Sequence, residues 1–405
     1  MKQTQLLALA MSTAFAAHTQ SYAAPTFADD LAFLQKHTEV VTLTDKAGAA
    51  QVAVVPAWQG RIMTSSADGP GGLSFGWVNR DLIASGKFQP HINVFGGEDR
   101  FWLGPEGGQF SIFFAKGAPF DLEHWFTPAA IDTEPFSVVS KGTDRVHFRK
   151  DLGLTNYSGT TFSLQVDREV RLLKAADVLK SFGIKTPSGL KSVAFESVNA
   201  VKNTGPAAWQ KDTGLLSIWM LGMFNAAPAT TIVVPFKPGP EAMLGPVVND
   251  TYFGKVPADR LVVLDGVLYF AADANHRSKI GIPPRRVKPV LGSYDAVNHV
   301  LTLVTFTVVP GATDFVNSMW ELQKDPFSGD VANSYNDGPS QPGGPQLGKF
   351  YELESSSPAL ALQPGQSATH HHQTLHFTGP ETLLDPLAKA ALGVGLDEIK
   401  IALPK

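Results

Sequence analysis

Thr161-Phe-Ser-Leu-Gln-Val-Asp-Arg-Glu-Val-Arg-Leu172 decides the fold class. Phe162, Leu164, Val166, Val170 and Leu172 fall on one face of an extended chain, interrupted only by Arg168. Thr161, Ser163, Gln165, Asp167, Glu169 and Arg171 fall on the other. Successive side chains of an extended backbone point to opposite sides, so a period of two marks a strand with one buried face. Outward from this stretch, residues 193–202, 230–236, 260–270, 299–309, 349–354 and 369–377 also read as strands. So do residues 51–56 and the aromatic run 110–114. Gly (37) and Pro (29), spread along the chain, mark turns between strands.

Helix signals are confined to the two ends. In residues 26–37, Phe27, Leu31 and Leu34 share one face. Residues 386–392 read as a closing helix, capped by Asp385, started by Pro386 where no N–H is needed, and stopped by Gly393. Many strands with few helices predict an all-β sandwich or barrel. No internal repeat and no Ser/Gly tether divides the chain. Residues 25–405 are therefore expected to form a single domain.

The N-terminus predicts export. Lys2 is followed by an apolar run from Leu6 to Ala17 and by small residues at Ala23 and Ala24, so residues 1–24 read as a signal peptide. The run is short for a bilayer span, and no later stretch is apolar enough for a stable membrane anchor. The expected location is periplasmic or secreted. With no cysteine in the chain, disulfides, thiolate metal sites and lipidation at an N-terminal Cys are excluded. The 33 basic and 37 acidic residues nearly balance, and no basic run interleaves with aromatics, so no nucleic-acid partner is expected. A hydrophobic share of 43% supports a sizeable core.

Chemistry concentrates in a few places. Asn93-Val-Phe-Gly-Gly-Glu-Asp-Arg-Phe-Trp-Leu-Gly-Pro-Glu-Gly-Gly108 packs Glu98, Asp99, Arg100 and Glu106 among glycines and aromatics. Carboxylates accept hydrogen bonds from sugar hydroxyls, and an arginine donates to them. Trp102 offers a ring face for sugar C–H groups. The competing reading is a turn-rich hairpin with a local salt bridge. A second region joins Tyr335-Asn336-Asp337-Gly338 to Glu352 and Glu354. These two glutamates are two apart on a strand and so share a face. Inside a pocket they would repel, raising one pKa into the range useful for an acid or base; on an edge strand they would simply be solvated. His124 beside Trp125 is a candidate proton carrier or a packed histidine. His370, His372 and His376 share a strand face, but no matched carboxylate accompanies them, so no metal and no cofactor is expected. Neither a Gly-x-Ser-x-Gly elbow nor a His-Glu-x-x-His motif is present.

Val198-Asn-Ala-Val-Lys-Asn-Thr-Gly205 and Tyr351-Glu-Leu-Glu-Ser-Ser-Ser-Pro-Ala-Leu-Ala-Leu-Gln-Pro-Gly-Gln366 resemble the galactose mutarotase-like superfamily. Gly96-Gly-Glu-Asp-Arg-Phe-Trp-Leu-Gly-Pro-Glu-Gly-Gly108, Ser278-Lys-Ile-Gly-Ile282 and Tyr335-Asn-Asp-Gly338 resemble a bacterial family of that fold with no assigned activity. The resemblance implies a galactose mutarotase-like β-supersandwich with short N- and C-terminal helices and a carbohydrate ligand. It implies that Glu354, in its Leu-Glu context, removes a proton from an anomeric hydroxyl, and that Arg100 helps hold the sugar. The superfamily's catalytic His sits in an Asn-His-x-Tyr-Phe context. Here that region reads Pro206-Ala-Ala-Trp-Gln-Lys-Asp-Thr-Gly214, without a His, and His124 is the candidate replacement. The expected function is epimerase-like proton transfer at an anomeric or glycosidic centre. Hydrolysis or elimination on an oligo- or polysaccharide, and sugar binding without turnover, stay open.

Overall fold

The computed structural model describes residues 24–339 and 343–404. The leader reading falls on residues of which 1–23 lie outside that description. Alternation of the kind seen at Thr161–Leu173 builds most of what is described, because each such strand buries one face and needs a neighbour on both edges. Among the described residues a ten-stranded antiparallel sheet forms. Its middle is Val300–Phe306, Ser367–Thr378, Lys191–Asn203 and Thr161–Leu173; its edges are Leu261–Leu264 and Ser137–Lys141. A five-stranded sheet runs in the order Ser278–Ile282, Ala332–Asn336, Phe350–Ser356, Ser217–Asn225, Arg100–Gly104. A three-stranded sheet, Val41–Thr44, Gln51–Val55 and Arg61–Ser66, completes the β structure.

The layers follow from which faces are apolar. Ile232, Val234, Leu268 and Phe270 of the large sheet pack against Phe224, Ile280, Tyr351 and Leu353 of the five-stranded sheet. On the outer face, Val233, Tyr269, Leu301 and Leu375 are covered by Leu384, Leu387, Ala388 and Ile399 from two C-terminal helices. The space between the sheets is not purely apolar. The Arg168 that interrupts the alternation is fully buried and pairs with Asp99 at 2.5 Å, both side chains being 0% exposed. It also donates to the Asn199 side chain at 2.6 Å and to the Gly60 carbonyl. A buried charge of this kind persists only when paired and hydrogen-bonded, and here both conditions hold.

The opening helix is Phe27–His37, with Thr26 as N-cap and Asp29 closing a capping box, so the reading of residues 26–37 agrees with the structure. Other elements differ. Residues 260–270 form a hairpin rather than one strand: Leu261–Leu264 and Val267–Ala271 pair across Asp265-Gly266, where Gly266 has φ +80°. A two-residue Asp-Gly turn reverses the chain because glycine takes positive φ without steric cost. The aromatic run at 110–114 forms no strand, only an isolated bridge between Phe114 and Trp125. Ser111 Oγ accepts from Phe113 N–H at 3.0 Å, so a side chain takes a backbone donor that a ladder would have used.

The closing helix is Glu381–Leu392, beginning one turn before Pro386, which lies inside it. Burial of Leu384, Leu387 and Ala388 beneath the sheet outweighs the proline's low helix propensity. Asp385 instead accepts from Leu396 N–H at 2.9 Å and holds a second helix, Leu396–Ile401. No helix among the described residues is long and apolar enough to cross a membrane.

Candidate functional site

The five-stranded sheet turns one face toward the large sheet and the other toward a set of loops. Strand register decides which side chains share that outer face. Lys279 lies opposite Tyr335, Tyr335 opposite Glu352, and Glu352 opposite Met223. In the next row Asn333, Glu354, Leu221 and Arg100 are neighbours. Beyond it Ser356, Trp219 and Trp102 align. Residues far apart in sequence therefore meet because period-two alternation is kept on every strand.

Two contacts between a cation and a carboxyl group organise the face. Arg100 Nη2 donates to Glu352 Oε1 at 3.0 Å. Lys279 Nζ donates to Glu354 Oε2 at 3.0 Å, and Trp219 Nε1 donates to the same oxygen at 2.9 Å. Aromatic faces hold the cations in place: Arg100 stacks over Trp102 at 4.1 Å, and Lys279 lies 4.8 Å from the Trp219 ring centroid. Glu354 Oε1 is buried and takes no donor from the protein's fixed hydrogens. Burial pushes the Glu352 carboxyl up to about 8, against the pull of Arg100, with Glu354 adding repulsion and a hydrogen bond that favours the protonated form.

Other acids nearby are raised in the same direction. Burial raises Glu106, partly offset by Lys279. Burial likewise raises Asp330 to about 6, although it accepts from Tyr252 Oη at 2.6 Å. Raised carboxyls gathered on one face are the arrangement that proton-transfer sites use.

Beside this face lies a cavity of about 720 Å³, a volume suited to a ligand larger than a few atoms. Glu106, Trp125, Phe253, Arg277, Trp320 and Tyr335 are among its walls. An adjoining hollow of about 510 Å³ shares His91, Ile92 and Leu347 with it. Glu106 is held at the wall by the glycines that follow it. A Cβ on Gly107 would fall 2.3 Å from the Met319 carbonyl oxygen, so only glycine allows the loop to seat there.

The candidate residues separate into three groups. Arg100, Trp102, Glu352 and Glu354 come together on the sheet face, and Glu106 and Asp337 line the cavity. Asp337 accepts from Tyr335 Oη at 2.6 Å and from Gly348 N–H at 2.8 Å. Glu98 and Asp99 point the other way, between the sheets. Glu98 Oε2 pairs with His376 Nε2 at 2.8 Å and accepts from Ser65 Oγ, while Asp99 holds Arg168. Their task is to anchor the strand that carries Arg100. Asn336 is likewise structural, bonding the Ala274 amide and the His276 carbonyl. His124 is half-exposed and pairs with Asp121 at 2.7 Å, outside the cavity.

His370 and His372 are fully buried and share Ser355 Oγ at 2.8 and 2.9 Å. Burial holds them well below the usual histidine range, at about 3 and about 4. Among the described residues no group of three or more His, Asp or Glu is arranged to hold a metal ion.

Sequence reasoning did not single out Lys279, Trp219 or Arg277. A signal existed for Lys279: a lone lysine inside Ser278-Lys-Ile-Gly-Ile282, a stretch that is buried throughout. Trp219 had none, because Ser217–Asn225 is buried on both faces and shows no alternation.

The model of a family of unknown function, DUF6786, matches residues 25–403. The chain belongs to this family. No curated protein matches the sequence. The fold of this DUF6786 member is galactose mutarotase-like. A candidate aldose 1-epimerase from Escherichia coli K12 superposes with TM-score 0.50 at 14% identity, over 84% of this chain and 98% of that one. The Slr1438 protein from Synechocystis sp. PCC 6803 superposes with TM-score 0.51 at 12% identity, over 84% and 96% of the two chains. A galactose mutarotase-like protein from Lactobacillus casei ATCC 334 gives TM-score 0.48 at 9% identity, over 84% and 100%.

Proposed function

We propose that the protein is an exported, carbohydrate-active protein that moves a proton at the anomeric or glycosidic centre of a sugar, in the manner of an aldose 1-epimerase. The observation that carries this reading is the Glu352–Glu354 pair on the sheet face beside the aromatic-walled cavity. Opening a pyranose requires a base at the anomeric hydroxyl and an acid at the ring oxygen. Glu354 Oε1 is the acceptor without a partner, and Glu352 carries a proton at neutral pH. One carboxyl takes a proton as the other gives one, and the reverse transfer closes the ring on either face. Lys279 and Trp219 hold Glu354, and Arg100 holds Glu352.

Glu352 thereby takes the acid role that the missing histidine leaves open, and His124 is not needed for it. The aromatic walls supply ring faces for sugar C–H groups. The layered sheets support reading residues 25–405 as one β-supersandwich unit, and the Lys2-to-Ala24 pattern supports export.

A sugar panel tests the activity. Thermal shift identifies which sugars bind the mature protein, and NMR of the anomeric protons follows interconversion. Faster equilibration of anomers than in buffer is the expected result. Binding without any change in anomeric exchange or linkage would replace the enzyme by a sugar-binding protein. N-terminal sequencing of periplasmic or secreted protein is expected to begin near Pro25; an intact Met1 on cytoplasmic protein would remove the export part.

A further inference from the structure

We infer that the ligand of the 720 Å³ cavity carries an anionic group, a carboxylate, sulfate or phosphate on the sugar, and that Arg277 binds it. This deepens the sugar-cavity reading above and rests on it.

Arg277 immediately precedes the strand Ser278–Ile282 and stands two residues before Lys279, so both basic side chains leave the backbone on the same side. Their situations then diverge. Lys279 is matched by Glu354, and the third cation of the site, Arg100, donates to Glu352 and stacks on Trp102, although its Nε and Nη1 are also buried without acceptors. Arg277 lines the cavity and makes no ion pair among the described residues. Its Nε is buried without an acceptor. An N–H of a charged group left without a partner in a buried position is costly, so such a group is normally found with one.

The guanidinium is nonetheless held in a defined place. It stacks over the Phe253 ring at 4.1 Å from the centroid, which leaves its edge free to donate.

The acids on the same walls do not fill the role. Asp337 already accepts from Tyr335 Oη and the Gly348 amide. Burial raises Glu106, which leans on Trp320 for a hydrogen bond and feels Arg277 only at a distance. Glu123 sits at the exposed rim. A planar guanidinium with free parallel donors matches the two oxygens of a carboxylate, or of a sulfate or phosphate ester, in a bidentate fork. A neutral sugar offers hydroxyls, which satisfy such a fork less well.

The test is calorimetry on the full mature protein with four ligands built on one parent sugar: the uronate, the sulfate ester, the phosphate ester and the neutral parent. Wild type, Arg277→Met and Arg277→Lys are compared at low and physiological salt. The expected result is that one anionic member binds wild type at least about tenfold tighter than the neutral parent. Arg277→Met should bring that member to the level of the parent, and Arg277→Lys should fall between. The arms separate the three anion sources. Equal binding of neutral and anionic members would overturn the inference while leaving the sugar reading intact. So would an Arg277→Met variant that weakens all four alike. Binding of none of the four would overturn both.

Discussion

Glu354→Gln is expected to lower kcat by about 10³-fold while leaving sugar affinity within about twofold. The substitution keeps the shape and one acceptor oxygen but removes the basic lone pair at Oε1, which is the oxygen without a protein donor. The loss falls on the transition state and not on the bound ground state, so it appears in turnover and not in calorimetric affinity. Glu352→Gln should cause a comparable loss with a different signature. Glu352 holds its proton up to about 8. As the acid, it works below that value and fails above it, so wild-type kcat should fall as pH rises through about 8. Glutamine has no proton to lose, and the residual activity of Glu352→Gln should lack that limb. Anomeric-proton NMR on matched preparations reads both effects. A Glu354→Gln variant turning over at the wild-type rate would end the base assignment. An unchanged alkaline limb in Glu352→Gln would move the acid role elsewhere, with Glu106 the nearest raised carboxyl.

The second large effect concerns stability. Asp99→Ala leaves the Arg168 guanidinium, 0% exposed, without its counter-charge between the sheets. Removing one partner of a buried pair costs about 3–5 kcal/mol, a large part of the roughly 5–15 kcal/mol that holds a typical domain together. The variant should unfold at much lower urea, with a smaller soluble yield. The mechanism has its own control. Asp99→Leu combined with Arg168→Met removes both charges and keeps apolar volume, and it should recover most of the loss, because the cost lies in the orphaned charge. Asp99→Ala within about 1 kcal/mol of wild type would show that Arg168 finds adequate acceptors in Asn199 and the backbone.

Much of the fold was legible where one face is wet and the other dry. The Thr161–Leu173 alternation placed its strand and flagged Arg168 as the odd residue, and the structure shows what that residue does. Legibility failed where burial is two-sided. Ser217–Asn225 carries apolar residues on both faces, so periodicity could not separate strand from helix, and the Trp219 that holds Glu354 went unnoticed. The hairpin at 261–271 was hidden differently: Asp265-Gly266 is a turn signal, but apolar residues on both sides made the segment read as one run.

Within the site, the pairing of Glu352 and Glu354 could be read because spacing alone fixes a shared face. Which of them keeps a proton could not, because that depends on Lys279, Trp219 and Arg100 arriving from other strands. Glu98 and Asp99 show the same limit. Asp99, next to Arg100, is turned to the interior by one residue of backbone, and Glu98, two residues before Arg100 and outside the strand Arg100–Gly104, turns inward where strand alternation no longer applies.

The neutral histidines between the sheets have a consequence for where the protein can work. His370 and His372 stay unprotonated in the fold down to about 3 and about 4, whereas a free histidine side chain begins to charge near 6.5. Below that value the unfolded chain takes up protons that the folded chain refuses. For these two residues each step toward acid therefore tilts the balance toward unfolding, while the raised carboxyls of Glu352 and Asp330 pull the other way, since the fold takes up their protons before the unfolded chain does. A cell regulates the acidity of its cytoplasm, but it leaves an exported protein to the acidity of its surroundings. If exported, this chain would meet that acidity directly, and two residues that never touch the ligand would lower its tolerance of it.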